Sequence, residues 1–461
     1  MKNVPPPVDS ILQTIGGTPL IRLARIGAGI KTPIYAKDET VNPGGSLKDR
    51  IGLAIVEAAE RSGELKPGGT IVEGTSGNTG IGLAMAAVIK GYRCIFTMPD
   101  KMSQEKVRLL KAFGAEVVIV PTAVPPDHPD YYVMKAKQIV HDTPGAVLAN
   151  QFYNQVNPEA HYASTGPEIW EQTGGRITHF VLGAGTGGTI SGAGKYLKEK
   201  KPSIRVIAGD PVGSLYTGYS RTKTMGDGHP YKVEGIGGDK IPSTLWFDYI
   251  DEFRQLADRD AFAMTRRLAR EEGILGGGSS GLNIALACQV GRELNDPNAL
   301  IVTLICDRGE RYLSKVFNDE WMRENQMMDL PRPTVADLLA RREAGAPALV
   351  SLAPSAMVRQ ALNLMSTYEV SQIPVMDGDN CVGGLTEATL MTRALDQPAL
   401  LDHPVREVMD PPFPVVEVSQ TTDRLAAMLT RESPAALVES KGKIVGIVSR
   451  YDVLRHMIST R

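Results

Sequence analysis

Thr70-Ile71-Val72-Glu73-Gly74-Thr75-Ser76-Gly77-Asn78-Thr79-Gly80 runs directly into Ile81-Gly82-Leu83-Ala84-Met85-Ala86-Ala87-Val88-Ile89. The opening residues form a β-rich apolar run and the closing ones a helical run. A Gly-rich turn joins them, with the small hydroxyl side chains Thr75, Ser76 and Thr79 clustered around Asn78. Strand, turn and helix in that order make up the first part of a βαβ unit. Backbone N–H groups left free at such a helix start attract an anion. A simple cap needs only one hydroxyl, so the cluster reads as a nest for a ligand carboxylate.

The same alternation spreads outward to about Asn325. Arg93-Cys94-Ile95-Phe96-Thr97-Met98 precedes a helical run over 104–113, and Glu116-Val117-Val118-Ile119-Val120 follows it. His179-Phe180-Val181-Leu182 leads into a helical run over 190–198, and Arg205-Val206-Ile207-Ala208 comes next. Near-continuous apolar strands alternating with helices predict parallel sheets covered on both faces. Ligands in such folds bind at the carboxyl ends of the strands, which is where the Gly-rich segments fall.

The 461 residues are too many for one core, so two or three domains are expected. Fifty basic against 52 acidic residues, a formal charge of −2, leave no electrostatic footprint for nucleic acid or an anionic membrane. The start, Met1-Lys2-Asn3-Val4-Pro5-Pro6-Pro7, has no apolar signal region, and no apolar run reaches spanning length. Cys94, Cys288, Cys306 and Cys381 lack metal or disulfide spacing. Lone cysteines suit a reducing cytoplasm, and no metal site is expected.

Four further segments bear on chemistry. Asn42-Pro43-Gly44-Gly45-Ser46-Leu47-Lys48-Asp49-Arg50 delivers Lys48 to the first turn of an amphipathic helix, with Ser46 as the expected cap. Gly183-Ala184-Gly185-Thr186-Gly187-Gly188-Thr189 links a strand to a helix and satisfies G-x-G-x-x-G, with Asp210 after a later strand. That pattern supports a nicotinamide-dependent oxidoreductase. However, dinucleotide fingerprints usually open their domain, and this one sits mid-chain. Dinucleotide binding also leaves Lys48 and the Thr75–Thr79 cluster unexplained, and a single phosphate cradled by Gly185–Thr189 fits the same residues more economically. Gly276-Gly277-Gly278-Ser279-Ser280-Gly281 precedes a helical run over 282–290, and Tyr231-Lys232-Val233-Glu234-Gly235-Ile236-Gly237-Gly238 forms another loop, either a lid or a turn. A phosphate cradle, a carboxylate nest and a placed lysine together suggest pyridoxal phosphate.

These residues in this order, with Ile15-Gly16-Gly17-Thr18-Pro19-Leu20 at the start, resemble the β-replacement family of pyridoxal-phosphate enzymes. The resemblance covers about the first two-thirds of the chain. It implies an α/β, tryptophan-synthase-like fold type II region with two open sheets. It further implies that Lys48 is the Schiff-base lysine and that Asn78 meets the ring hydroxyl. Gly185, Thr186, Gly187, Gly188 and Thr189 would hold the phosphate, with Ser279 at the ring nitrogen. Thr75, Ser76, Thr79 and Gln151 would face the substrate carboxylate, and Gly235 would border the substrate. A neutral hydroxyl at the ring nitrogen weakens the electron sink and favours loss of a β-leaving group. Asp210-Pro211-Val212-Gly213-Ser214 and Val233-Glu234-Gly235-Ile236-Gly237 look more like the cystathionine β-synthase branch, which condenses serine with homocysteine, than the cysteine synthase branch, which joins O-acetylserine and sulfide. Gly238 stands where many eukaryotic relatives have Tyr, and the chain has no room for an N-terminal haem segment, so no haem is expected.

Composition shifts over 326–334, which reads as a linker after a catalytic region at 1–325. Beyond it Val382-Gly383-Gly384-Leu385-Thr386 recurs as Val445-Gly446-Ile447-Val448-Ser449, giving repeats at 335–398 and 403–461. They resemble tandem CBS domains, a Bateman module. In such domains a hydroxyl and an Asp three residues on bind a ribose. The second copy has Ser449 and Asp452, whereas the first has Thr386 and Thr389. The resemblance therefore implies at most one intact site for S-adenosylmethionine or an adenine nucleotide, and a homodimer or higher homo-oligomer.

Overall fold

The computed structural model describes residues 6–75, 77–100, 102, 104–122, 124–125, 127–328, 333–340, 347, 349–430 and 433–459. The chain divides into two units, Met1–Met328 and Asp329–Arg461.

The first unit opens with β1 (Leu20–Arg22) and β2 (Ile34–Asp38). It then builds β3 (Thr70–Gly74), β4 (Arg93–Pro99), β5 (Glu116–Val120) and β6 (Ala146–Leu148) as a separate sheet, ordered β5-β4-β3-β6. It returns through β7 (His179–Gly183), β8 (Arg205–Pro211), β9 (Glu252–Leu256) and β10 (Ile301–Ile305), completing a six-stranded sheet ordered β1-β2-β10-β7-β8-β9. Every pairing is parallel except β1 with β2. The connection over 23–33 is too short for a crossover, so these two strands can only run antiparallel.

Helices cover both sheets: α1 (Lys48–Ser62), α2 (Asn78–Lys90), α3 (Gln104–Ala112), α4 (Tyr132–Asp142), α5 (Val156–Ala163) and α6 (Thr165–Gln172). After them come α7 (Gly188–Lys200), α8 (Tyr216–Thr222), α9 (Asp258–Glu272), α10 (Gly278–Leu294) and α11 (Asp319–Glu324). Strand residues sort by their period of two. Val181, Ile207, Ile301 and Ile305 join the core under α10, and Phe180, Leu182, Val206, Val302 and Leu304 join the core under α7. β3 and β10 are buried at every residue, as strands covered on both faces must be.

Two expectations shift. The helix over 282–290 begins earlier, so Ser279 and Ser280 sit in the first turn of α10 rather than before it. Close packing explains the glycines there, because a Cβ at Gly281 would lie 2.1 Å from the Ala261 carbonyl of α9. β8 likewise extends to Pro211, so Asp210 lies inside the strand.

In the second unit β11 (Gln372–Asp377) pairs with β12 (Asn380–Thr386), while β13 (Val415–Glu417), β14 (Ala435–Ser440) and β15 (Lys443–Ser449) form another sheet. Its helices are α12 (Val335–Ala340), α13 (Val358–Tyr368), α14 (Glu387–Asp396), α15 (Thr422–Met428) and α16 (Arg450–Ser459). The opening segments of the repeats are exchanged. Val335 and Leu338 of α12 pack with Val416, Leu425, Val438 and Val448 of the second copy, whereas Val405 and Val408 pack with Val358, Ala361 and Ile373 of the first. Among the described residues no helix is long and apolar enough to cross a membrane.

Candidate active site

The carboxyl ends of β3, β4, β6, β7 and β10 open onto one cavity of about 1200 Å³. Lys48 reaches it from the first turn of α1. The loop before α1 is tied down on two sides. Leu47 donates to the Cys306 carbonyl (2.9 Å), and Gly44 donates to Asp49 Oδ2 (2.6 Å). Arg50, buried, bonds Glu39 and Glu168 at 2.7 Å each. Burial opposes it, yet the Arg50 and Lys37 cations hold Glu168 down to about 2. Ser46 Oγ accepts the Lys48 N–H (3.2 Å), although the residue flanking the helix is Leu47. Burial pushes the Lys48 amine down to about 8, against the pull of Cys306 and Asp307. Among the described residues that amine makes no hydrogen bond or ion pair.

At the β3–α2 turn, Asn78 Nδ2 donates to Asp307 Oδ2 (2.7 Å) and Oδ1 accepts from Arg311. Thr79 Oγ1 donates to Gln151 Oε1 (2.6 Å). The Gln151 backbone is fixed from below, because Asn150 and Gln151 donate to the buried Glu73 carboxyl at 2.6 and 3.4 Å. Burial raises that carboxyl to about 7. The Thr75 hydroxyl accepts the Gly77 N–H (3.0 Å) and is not part of the cavity lining. Ser76 lies outside the described residues.

The β7–α7 turn supplies the second pole. Gly187, with φ of +82°, flanks α7 and has no side chain to cap it; Thr186 Oγ1 accepts the Gly188 N–H (3.4 Å), and the next N–H groups of the first turn have no partner within the helix. The turn is roofed by the Gly235 loop: a Cβ at Gly185 would lie 2.3 Å from the Gly235 carbonyl, and Gly237 N donates to the Ala184 carbonyl (2.7 Å). Ser279 lines the cavity beside Cys306, whose thiol burial pushes up to about 12. Asp210 points elsewhere: its buried Oδ2 accepts from Thr217 N and Oγ1 at 2.9 and 2.8 Å. A carboxylate spent on α8 is not offered to a ribose, and the dinucleotide reading loses its acidic residue.

The cavity therefore brings together Lys48, Asn78, Thr79, Gln151, Gly185, Thr186, Gly187, Thr189, Gly235 and Ser279. Gly188 lies one residue into α7, where a Cβ would collide with Asn157 Oδ1 at 1.9 Å. Ser449 and Asp452 lie in the second unit, where Asp452 Oδ2 accepts from Ser449 N and Oγ, both at 2.7 Å, across the start of α16. Thr386 and Thr389 make the equivalent hydroxyl contact at α14 (2.7 Å). Sequence reading missed Glu73, Asp307 and Arg311. The last two follow the carboxyl end of β10, the position at which ligands gather in such sheets.

This donor set fits pyridoxal phosphate. The Lys48 amine has no hydrogen-bond or ion-pair partner among the described residues, a helix start lies behind glycines that leave no room for a Cβ, and a neutral hydroxyl shares the same cavity. The sequence profile of the family described as "Pyridoxal-phosphate dependent enzyme" matches residues 11–307, and that of the CBS domain matches 342–396 and 405–459. A cystathionine beta-synthase of Dictyostelium discoideum is 35% identical over 98% of this chain and 93% of its own length. A cysteine synthase of Staphylococcus aureus is 46% identical over 67% of this chain and 96% of its own length. The crystal structure of an O-acetylserine dependent cystathionine beta-synthase from Helicobacter pylori superposes with a TM-score of 0.63 at 36% identity, covering 68% of this chain and 99% of that one. The chain belongs to the pyridoxal-phosphate-dependent enzymes of fold type II, in the cystathionine β-synthase family that carries a tandem pair of CBS domains.

Proposed function

We propose that the chain performs β-replacement on an amino acid, condensing L-serine with L-homocysteine to give cystathionine. The observation that carries this reading is the Lys48 amine, without a hydrogen-bond partner among the described residues, in the cavity that also holds the start of α7 and the Ser279 hydroxyl. Pyridoxal phosphate, when bound, supplies an electron sink for the charge left at the substrate Cα. Lys48 Nζ, held near 8 by burial, accepts the Cα proton and later returns it. Thr79, Gln151 and the N–H groups of the β3–α2 turn hold the substrate carboxylate, which fixes the direction of the Cα–H bond. Asn78 keeps one N–H for the ring hydroxyl while Asp307 and Arg311 fix its plane. Thr186, Thr189 and the start of α7 hold the phosphate, and Ser279 donates to the ring nitrogen. The Gly235 loop packs over the β7–α7 turn beside the substrate.

Cysteine synthesis from O-acetylserine and sulfide is the second reading, favoured by the Staphylococcus aureus relative, while the Helicobacter pylori one favours only O-acetylserine as the donor. Product analysis with serine or O-acetylserine, each with homocysteine or sulfide, separates the two. Lys48→Ala should lose the yellow absorbance of the bound cofactor and all turnover. Full turnover in that variant without added amine overturns the assignment.

The reading extends to the whole chain: a catalytic region at 1–325, a linker at 326–334 and CBS repeats at 335–398 and 403–461, working in the cytoplasm as a homodimer or larger oligomer. Ser449 and Asp452 would border an adenosyl ligand in the second repeat. Calorimetric titration with S-adenosylmethionine and with adenosine nucleotides tests this, and absence of heat with every one of them removes the ligand role.

A further inference from the structure

α5 carries two fully buried polar residues one turn apart, Asn157 and His161, and each touches a hydroxyl of the β7–α7 turn. Asn157 Nδ2 donates to the Gln151 carbonyl (2.8 Å) and to Thr186 Oγ1 (3.0 Å). A carbonyl can only accept, so the Asn157 nitrogen must face that way, and Thr186 must accept from it. Gly188 N also donates to Thr186 Oγ1 (3.4 Å). Both lone pairs of that hydroxyl are then used, and its proton is left to point outward.

Thr189 follows the same logic through His161. His161 Nε2 lies 3.1 Å from Thr189 Oγ1, and Nδ1 lies 2.8 Å from Thr165 Oγ1. The ring is neutral, because burial, with Lys48 and Arg50, pushes its basicity well below the ordinary value. Thr165 is fully buried and its hydroxyl makes no other hydrogen bond among the described residues. If Nδ1 carried the proton, the Thr165 hydroxyl proton would have no acceptor. If Nε2 carries it, every group is satisfied: Thr165 donates to Nδ1, Nε2–H donates to Thr189, and the Thr189 proton is released into the cavity.

We propose that Asn157 and His161 are positioning residues that preset both hydroxyls, Thr186 and Thr189, as donors toward an anion at the start of α7. This rests on the reading of that turn as the phosphate cradle. The packing agrees with the role. Glycine at 188 and 192 lets α5 press against α7, since a Cβ at either would lie 1.9 Å from Asn157 Oδ1 or the Pro158 carbonyl.

Two measurements test it. In wild-type protein labelled with 15N-histidine and loaded with pyridoxal phosphate, His161 should show a protonated Nε2 and an unprotonated Nδ1, with His161→Gln used to assign the signal. A protonated Nδ1 overturns the proposal. The second measurement compares cofactor-free His161→Phe and Asn157→Leu with wild type for binding of pyridoxal phosphate and of its dephosphorylated form, pyridoxal. Each variant should bind the phosphorylated form about tenfold more weakly and pyridoxal unchanged, and His161→Gln, which restores a donor near Nε2, should recover most of the loss. Equal weakening for both compounds would mark a merely structural role and overturn the proposal. If wild type itself binds neither pyridoxal phosphate nor inorganic phosphate, the cradle reading fails, and the proposal with it.

Discussion

At the scale of single residues, burial sets the chemistry of the site more than charge does. Lys48, Glu73 and Asp49 are displaced from their ordinary values chiefly by loss of water. For Lys48 the consequence is kinetic. Only the neutral amine attacks an aldehyde, so capture of pyridoxal phosphate by the cofactor-free protein should accelerate through about pH 8, and stopped-flow absorbance across a pH series reads this directly. A profile still climbing toward the ordinary lysine value of 10.5 would mean that the amine is solvated. For Glu73 the consequence is stability. Its carboxyl is raised from 4.5 to about 7, so the folded state holds the proton more tightly than the unfolded state. That stabilisation is complete below pH 4.5 and is lost as pH rises toward about 7. Glu73→Gln should flatten this limb by on the order of 3 kcal/mol, leaving the parallel contribution of Asp49, which is raised from 3.8 to about 7. Urea unfolding of both proteins at mildly acidic and neutral pH gives the two slopes. The glycines of the Lys48 loop look different once their neighbours are known. Gly44 is small because a Cβ would sit 2.5 Å from Asp49 Oδ1, a contact made by the loop with itself. Sequence alone shows that a glycine is needed there, but not which neighbour needs it.

At the scale of elements, the site depends on close helix approaches. α1 and α2 cross through a pair of glycines: a Cβ at Gly52 would lie 2.4 Å from the Gly82 backbone, and one at Gly82 would lie 2.7 Å from the Lys48 carbonyl. The crossing therefore sets the distance between the Lys48 turn and the Asn78 turn. Gly52→Ala should push the helices apart, costing about 1–3 kcal/mol of stability and weakening cofactor retention. Gly63→Ala, at the C-terminal cap of α1 with φ of +74°, should cost stability without changing cofactor affinity. Equal cofactor affinity in the two variants would break the link between crossing and site. Most of these elements were legible in the sequence. The strands of the first unit are apolar runs bounded by Gly-rich turns, and the residues at 48, 78–79, 185–189 and 279 fall at their carboxyl ends. Less legible were the partners that come from far along the chain, such as Arg311 on Asn78 or His161 on Thr189. Nothing local distinguishes a buried polar residue that orients another from one that merely satisfies itself. The early start of α10 was hidden for a related reason, because glycine runs read as turns whereas here they admit α9.

At the scale of the whole molecule, the two units have separate cores. The clusters around Leu282, Phe180 and Phe96 contain only residues of the first unit, and those around Val438, Ile373 and Leu437 only residues of the second. The Helicobacter pylori structure corresponds to 68% of this chain, with 99% of its own length matched. A chain ended at Met328 should therefore fold and retain pyridoxal phosphate. The internal repeat was visible in the sequence, but the exchange of opening segments was not, because each copy reads as a self-contained succession of helix, strand, strand and helix. Exchange makes the pair indivisible. A chain ended after α14 keeps Val335 and Leu338, yet it loses Val416, Leu425, Val438 and Val448, which cover them. It also loses Val405 and Val408 from the core of the copy that remains. Apolar surface exposed on both sides of one small repeat favours association. The chain ended at Met328 should be monodisperse by light scattering and melt in one sharp transition. The chain ended at Asp396 should aggregate at the same concentration, although it contains more of the native sequence. If the longer truncation proves as well behaved as the shorter one, the repeats are independent, and the exchanged segments contribute little to either core.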